Sequence, residues 1–230
     1  MNVIEDHPAL RTLCPPDVIV SWNDPERADG VELFREERIA VARAVRSRQL
    51  EFACGRACAR AALARWGAVP AAIPVGPGRQ PLWPLGYVGS ITHTRQFCAA
   101  AVARADRYQS LGIDAEPDEP LPADVARMIR TSADCVSEPT LTPGDQPLSG
   151  RLAFCAKEAF YKLQYPLTGV FLDFSVVRVD LAPGSFVARL LADVPPWKAG
   201  TSFEGRWRRG RGLVVAAAWL DAETSDRMDR

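Results

Sequence analysis

Only two histidines occur in the 230 residues, no CxxC pair is present, and Lys+Arg and Asp+Glu balance at 28 each. The balanced charge leaves no global basic field, so nucleic acid is not expected as the main partner. Six cysteines (Cys14, Cys54, Cys58, Cys98, Cys135 and Cys155) lie scattered among small apolar residues. With so little histidine they read as buried thiols, not as a zinc site or a disulfide framework. The same scarcity argues against a cysteine nucleophile, because His7 and His93 are the only imidazoles that could activate a thiol. No stretch approaches the run of about 18 apolar residues that a membrane span requires, and the first residues lack both a basic n-region and a long apolar h-region. A soluble cytoplasmic protein without a membrane partner is expected.

At 47% hydrophobic and 24% charged residues, the chain can bury one sizeable core or two small adjoining ones. Residues 30–66 are rich in Ala, Arg, Glu and Leu, and Gly67 follows as a C-terminal stop; the segment is expected to hold two helices. The Pro/Gly-dense residues 69–89 read as an irregular loop, and 98–103 and 110–115 as neighbouring strands. Residues 117–150 mix prolines and glycines with acids, with one short helix at 123–130, and read as a mobile lid or linker. Helical composition resumes at 151–165, with Pro166 expected to end the helix. Alternating strands then follow at 175–181, 186–191, 201–207 and 213–220.

Within LGIDAEP, Asp114 and Glu116 are two apart on a strand and project to one side, where they could share a hard cation. Alone, such a pair is ordinarily a solvated acidic edge. In FCAKEAFYK, Lys157, Glu158 and Lys162 share a helix, with Glu158 and Lys162 spaced i,i+4 on one face. An exposed ion pair would explain that spacing too. The flanking Phe154, Ala156, Ala159, Phe160 and Tyr161 leave little solvent-facing surface, however, which suits the wall of a cleft. Glu158 beside Asp114 and Glu116 would give the oxygen-rich, incomplete shell that Mg²⁺ takes when a substrate phosphate and water complete it. In GSITHT, Ser90, Thr92 and His93 offer hydroxyls and an imidazole to a phosphate, and Arg48, Arg56 and Arg60 punctuate the early helix. Taken singly, the histidine could be a satisfied strand-edge group and the arginines a charged helix face.

Together, four motifs in order, GRACAR at 55–60, GSITH at 89–93, GIDAE at 112–116 and FCAKEAFYK at 154–162, with PLWP at 81–84, resemble the surfactin and enterobactin type of 4′-phosphopantetheinyl transferases. The likeness covers about residues 40–175. It implies an α+β fold of two similar, pseudo-twofold-related subdomains, each a small antiparallel sheet packed on helices. They would span residues 1–105 and 106–230, with the site in the cleft between them. It also implies transfer of 4′-phosphopantetheine from coenzyme A to a serine of an acyl or peptidyl carrier protein, by a monomer.

Carried over by position, Asp114, Glu116 and Glu158 would hold Mg²⁺, and Glu158 would accept the serine proton directly or through water. Lys157 and Lys162 would stabilise charge on the pyrophosphate. Ser90, Thr92 and His93 would lie at the phosphates of coenzyme A, Arg48 and Arg56 at the 3′-phosphate, and Arg79 near the adenine nucleotide. Leu167, Val170 and Phe171 would meet the carrier. A metal-dependent phosphohydrolase or a non-catalytic coenzyme A binding module would use some of the same groups.

Overall fold

The computed structural model describes residues 7–129 and 141–222. In chain order these form α1 (Pro8–Arg11), β1 (Ile19–Asn23), α2 (Arg35–Val41), α3 (Arg46–Arg65), β2 (Tyr87–His93), β3 (Cys98–Arg104), β4 (Tyr108–Pro117), α4 (Ala123–Ile129), α5 (Ser149–Thr168), β5 (Val177–Ala182), β6 (Ser185–Leu190), β7 (Ser202–Gly210) and β8 (Leu213–Asp221). The strands make two antiparallel sheets, ordered β1-β3-β2 and β4-β8-β7-β6-β5. The fold is α+β. Each sheet carries one 20-residue helix, α3 on the first and α5 on the second, although the sheets differ in strand number.

Strand alternation sorts the residues into layers. In β3, Cys98, Ala100 and Val102 pack under α3, while Ala99, Ala101 and Ala103 face the other sheet. In β4, Leu111, Ile113 and Ala115 join those alanines and Val215 and Ala217 of β8 between the sheets. Asp114 and Glu116 are therefore turned to the face on which α5 packs. Val214, Ala216, Ala218 and Leu220 of β8 pack on that face against Leu152, Ala156, Ala159 and Phe160 of α5.

Two expected boundaries move. Pro166 lies inside α5, and the helix continues to Thr168 before Gly169, at φ 65°, turns into the left-handed region and donates its N–H to Tyr165 O at 2.8 Å. Gln164, fully buried, holds this end: its Oε1 accepts from Thr168 Oγ1 at 2.6 Å and its Nε2 donates to Val170 O at 3.0 Å. A proline costs only one intrahelical bond there, and the side-chain clasp offsets it. The end of the expected 69–89 loop is β2, paired with β3 along its whole length.

Residues 130–140, within the expected lid, lie outside the described residues. The flanking described parts are anchored to the second sheet. Arg209 of β7 bonds Asp118 and Asp145, and Arg151 Nε donates to Glu119 O. Cys14, Cys54, Cys58, Cys98 and Cys155 are buried free thiols; Cys135 lies outside the described residues.

Candidate active site at the junction of the two sheets

β4 is an edge strand, and its outward main-chain groups need partners. The first sheet supplies them through side chains. Ser90 Oγ of β2 accepts from Ile113 N at 3.0 Å, and Thr92 Oγ1 accepts from Ala115 N at 3.0 Å. From the other side Lys162 Nζ donates to Ile113 O at 3.1 Å. Gly112 brings α5 close: a Cβ there would stand 1.9 Å from Ala159 O. Ser110 Oγ adds a 2.6 Å bond to Leu163 O. The helix is thus fastened to β4 beside Asp114.

Asp114 is 6% exposed. Its Oδ1 accepts from Lys162 Nζ at 2.7 Å and from Thr92 Oγ1 at 3.2 Å, while its Oδ2 is buried with no protein partner. Glu116 is paired at 2.7 Å with Arg151, a residue the sequence reading passed over. Its signal was the i, i+7, i+11 stripe of Arg151, Glu158 and Lys162 along α5. Burial and then the Asp114 charge push Glu116 up to about 7, with Arg151 opposing. Burial and Asp114 likewise raise Glu158, with Lys162 opposing. For Lys162, burial is the largest effect and works against the charge, but Asp114 together with Glu158 and Cys155 outweighs it and raises the ammonium.

Lys162 and Asp114 form one end of a cavity of about 850 Å³ whose other walls include Arg48, Arg56, Arg79 and His93. Gly55 allows α3 to lie against β2, since a Cβ there would stand 2.9 Å from the Ile91 side chain. Arg56 is buried, stacked over Phe52 at 4.2 Å, with Nε donating to Ile73 O at 2.7 Å. Burial lowers its guanidinium to about 10, and it remains charged at neutral pH. Arg48 Nη1 bonds both Glu51 and His93 Nε2, and His93 Nδ1 lies 3.4 Å from Glu51. Burial and the Arg48 charge lower the His93 pKa, which makes it a neutral imidazole accepting at Nε2. Glu51 was not anticipated; it sits one helical turn from Arg48. Arg79 is exposed at φ 66° on a tight hairpin, where its N–H reaches Gly76 O at 2.9 Å.

Ser90, Thr92, Arg60 and Lys157 make contacts that spacing does not foretell. Ser90 and Thr92 spend their oxygens on the β4 edge, so they join the sheets as well as lining cavities. Arg60 points elsewhere, pairing at 2.9 Å with fully buried Glu37, which also receives the N–H groups of Phe34 and Ile73. Lys157 does not line the large cavity: its Nζ donates to Ile129 O at 2.9 Å and Phe174 O at 3.0 Å. Among the described residues, no group of three or more His, Cys, Asp or Glu is gathered closely enough to hold a metal ion by itself.

The large cavity thus joins the arginines of the first half to the Asp114 carboxylate and Lys162 of the second. The family described as 4′-phosphopantetheinyl transferase N-terminal domain matches residues 35–103, and the 4′-phosphopantetheinyl transferase superfamily matches residues 110–218. The chain belongs to the 4′-phosphopantetheinyl transferase family. It is 47% identical to the 4′-phosphopantetheinyl transferase Svp of Streptomyces mobaraensis over 87% of this chain and 86% of that one. Identity to PptT of Mycobacterium tuberculosis is 39%, over 86% and 89%. With enterobactin synthase component D of Escherichia coli it is 33%, over 57% of this chain and 63% of the relative. No helix among the described residues is long and apolar enough to cross a membrane.

Proposed function

We propose that this protein moves the 4′-phosphopantetheine arm of coenzyme A onto a serine of an acyl or peptidyl carrier protein, releasing adenosine 3′,5′-bisphosphate. It would act as a cytoplasmic monomer, with the site between subdomains 1–105 and 106–230 and with neither nucleic acid nor membrane as partner.

The observation that carries the reading is Asp114. One oxygen is held by Lys162 and Thr92, and the other is buried without a partner, while burial and then the Asp114 charge raise Glu116 and Glu158. Burial and the Asp114 charge both disfavour the ionised forms of Glu116 and Glu158, a cost that a divalent cation would offset, and Mg²⁺, which retains waters and shares substrate phosphates, needs few protein ligands. Asp114, Glu116 and Glu158 would hold it, and the bound ion would neutralise charge on the pyrophosphate.

In the transfer, the serine oxygen bonds to the phosphorus nearest the pantetheine as the bond from that phosphorus to the bridging oxygen breaks. Glu158, its basicity raised by burial, takes the serine proton directly or through one water. Lys162 faces the pyrophosphate and stabilises the charge left on adenosine 3′,5′-bisphosphate. Arg48 and Arg56 hold the 3′-phosphate, with His93 and the Ser90 and Thr92 hydroxyls at the phosphates and Arg79 at the nucleotide rim. On the acceptor side, Leu167, Val170 and Phe171 are exposed at 37%, 39% and 78% beside the end of α5. They offer the carrier an apolar contact. Replacing Asp114, Glu116 and Glu158 singly by Ala should abolish transfer with the circular-dichroism spectrum retained. Near-normal turnover in all three variants would remove the assignment.

A further inference from the structure

Lys157 and Lys162 are five positions apart, about 140° around the helix, so the two leave α5 toward different walls. Lys162 reaches Asp114. Lys157 is 2% exposed and spans from Ile129 O, at the end of α4, to Phe174 O, in the turn before β5. It lines a separate cavity of about 270 Å³ together with Glu158, Tyr161, Phe171 and Phe174. An ammonium so enclosed is held in place, since moving it to a ligand would leave these carbonyls unpaired.

We propose that Lys157 is a positioning residue: it ties the end of α4 and the Asp173–Val176 turn to α5, and so sets the shape of the apolar cavity adjoining Glu158. Charge on the coenzyme A pyrophosphate is left to Lys162. Glu158 follows Lys157 directly, so the same bonds also fix the rotation of α5 next to the reacting groups. The proposal rests on the transferase reading only for which substrate feels the change.

The test is Lys157→Met, which keeps the stem and removes the donors. The affinity of coenzyme A, titrated calorimetrically with Mg²⁺, is expected to stay within twofold. Amide exchange over residues 170–177 of the ligand-free protein should accelerate at least tenfold. The carrier KM should rise at least tenfold, with kcat falling less than threefold. A tenfold weaker affinity for coenzyme A with exchange over 170–177 unchanged would overturn the proposal and return Lys157 to the pyrophosphate. Should that variant fail to fold, Asp173→Ala serves instead. Asp173 Oδ1 accepts from Ser175 N at 2.8 Å and shapes the turn that presents Phe174 O. It should reproduce the faster exchange and the higher carrier KM; no change in either would equally overturn the proposal. Failure of the transferase reading would appear separately, as absence of transfer by the unsubstituted protein, with the exchange and affinity readouts still interpretable.

Discussion

Gly112→Ala tests how the fold builds the site. The added Cβ would lie 1.9 Å from Ala159 O and 2.6 Å from Leu163 N, both main-chain atoms of α5. Carbon and oxygen do not pack closer than about 3 Å, so the helix must retreat from β4 by about 1 Å. That movement strains the Lys162–Asp114 pair at 2.7 Å and the Ser110–Leu163 bond at 2.6 Å. Overpacking of this kind costs about 1–3 kcal/mol. In a chain of this size each kcal/mol lowers Tm by roughly 2–4 °C. Because Glu158 and Lys162 ride on the displaced helix, a shift of about 1 Å is expected to lower kcat by roughly a hundredfold. Urea denaturation and a carrier-modification rate assay measure the two effects. A variant within about 0.5 kcal/mol of the parent and with unchanged kcat would refute the close approach of α5 to β4.

Glu116 makes the ligand-free protein pH-sensitive in a defined sense. Its folded pKa, about 7, lies above the ordinary 4.5, so the folded state holds a proton that the unfolded chain releases. The contribution is fully present below pH 4.5 and is lost as pH rises through 7, whereas cation binding needs the carboxylate. The rise in Tm on adding Mg²⁺ should therefore be larger at pH 8 than at pH 6, by differential scanning fluorimetry; equal rises would contradict it. Glu37→Gln, which removes the buried charge facing Arg60 and turns one of its two acceptor oxygens into a donor, is expected to destabilise by about 3 kcal/mol in urea denaturation. A loss below about 1 kcal/mol would show that the pair is replaceable. Phe171→Ala should raise the carrier KM by about fivefold, roughly 1 kcal/mol of contact, without altering coenzyme A affinity. An unchanged carrier KM would remove Phe171 from that surface.

Much of this arrangement was legible in spacing. The two-residue step from Asp114 to Glu116 puts both on one side of a strand, and the four-residue step from Glu158 to Lys162 puts both on one stripe of a helix. Lys157 sits a single residue from Glu158 and was grouped with it by proximity in the chain, although helical rotation of about 100° per residue separates their directions. Ser90 and Thr92 could not be read as sheet joints, because that role depends on β4 being an edge strand, a fact of topology. Pro166 misled because a proline near a helix end costs only one bond, and the Gln164–Thr168–Val170 clasp that compensates is tertiary. β1 and α1 went unread because their short segments carry little periodicity and owe their structure to pairing with β3 and to packing between the sheets.

The most direct measurement is intact-mass spectrometry of an apo acyl or peptidyl carrier protein incubated with this protein, coenzyme A and Mg²⁺, beside an EDTA control and the Glu158→Gln variant. The carrier should gain one phosphopantetheine, a gain that EDTA prevents and the variant fails to produce. An unmodified carrier from several classes despite coenzyme A binding would contradict the transferase reading, as would breakdown of coenzyme A without carrier modification.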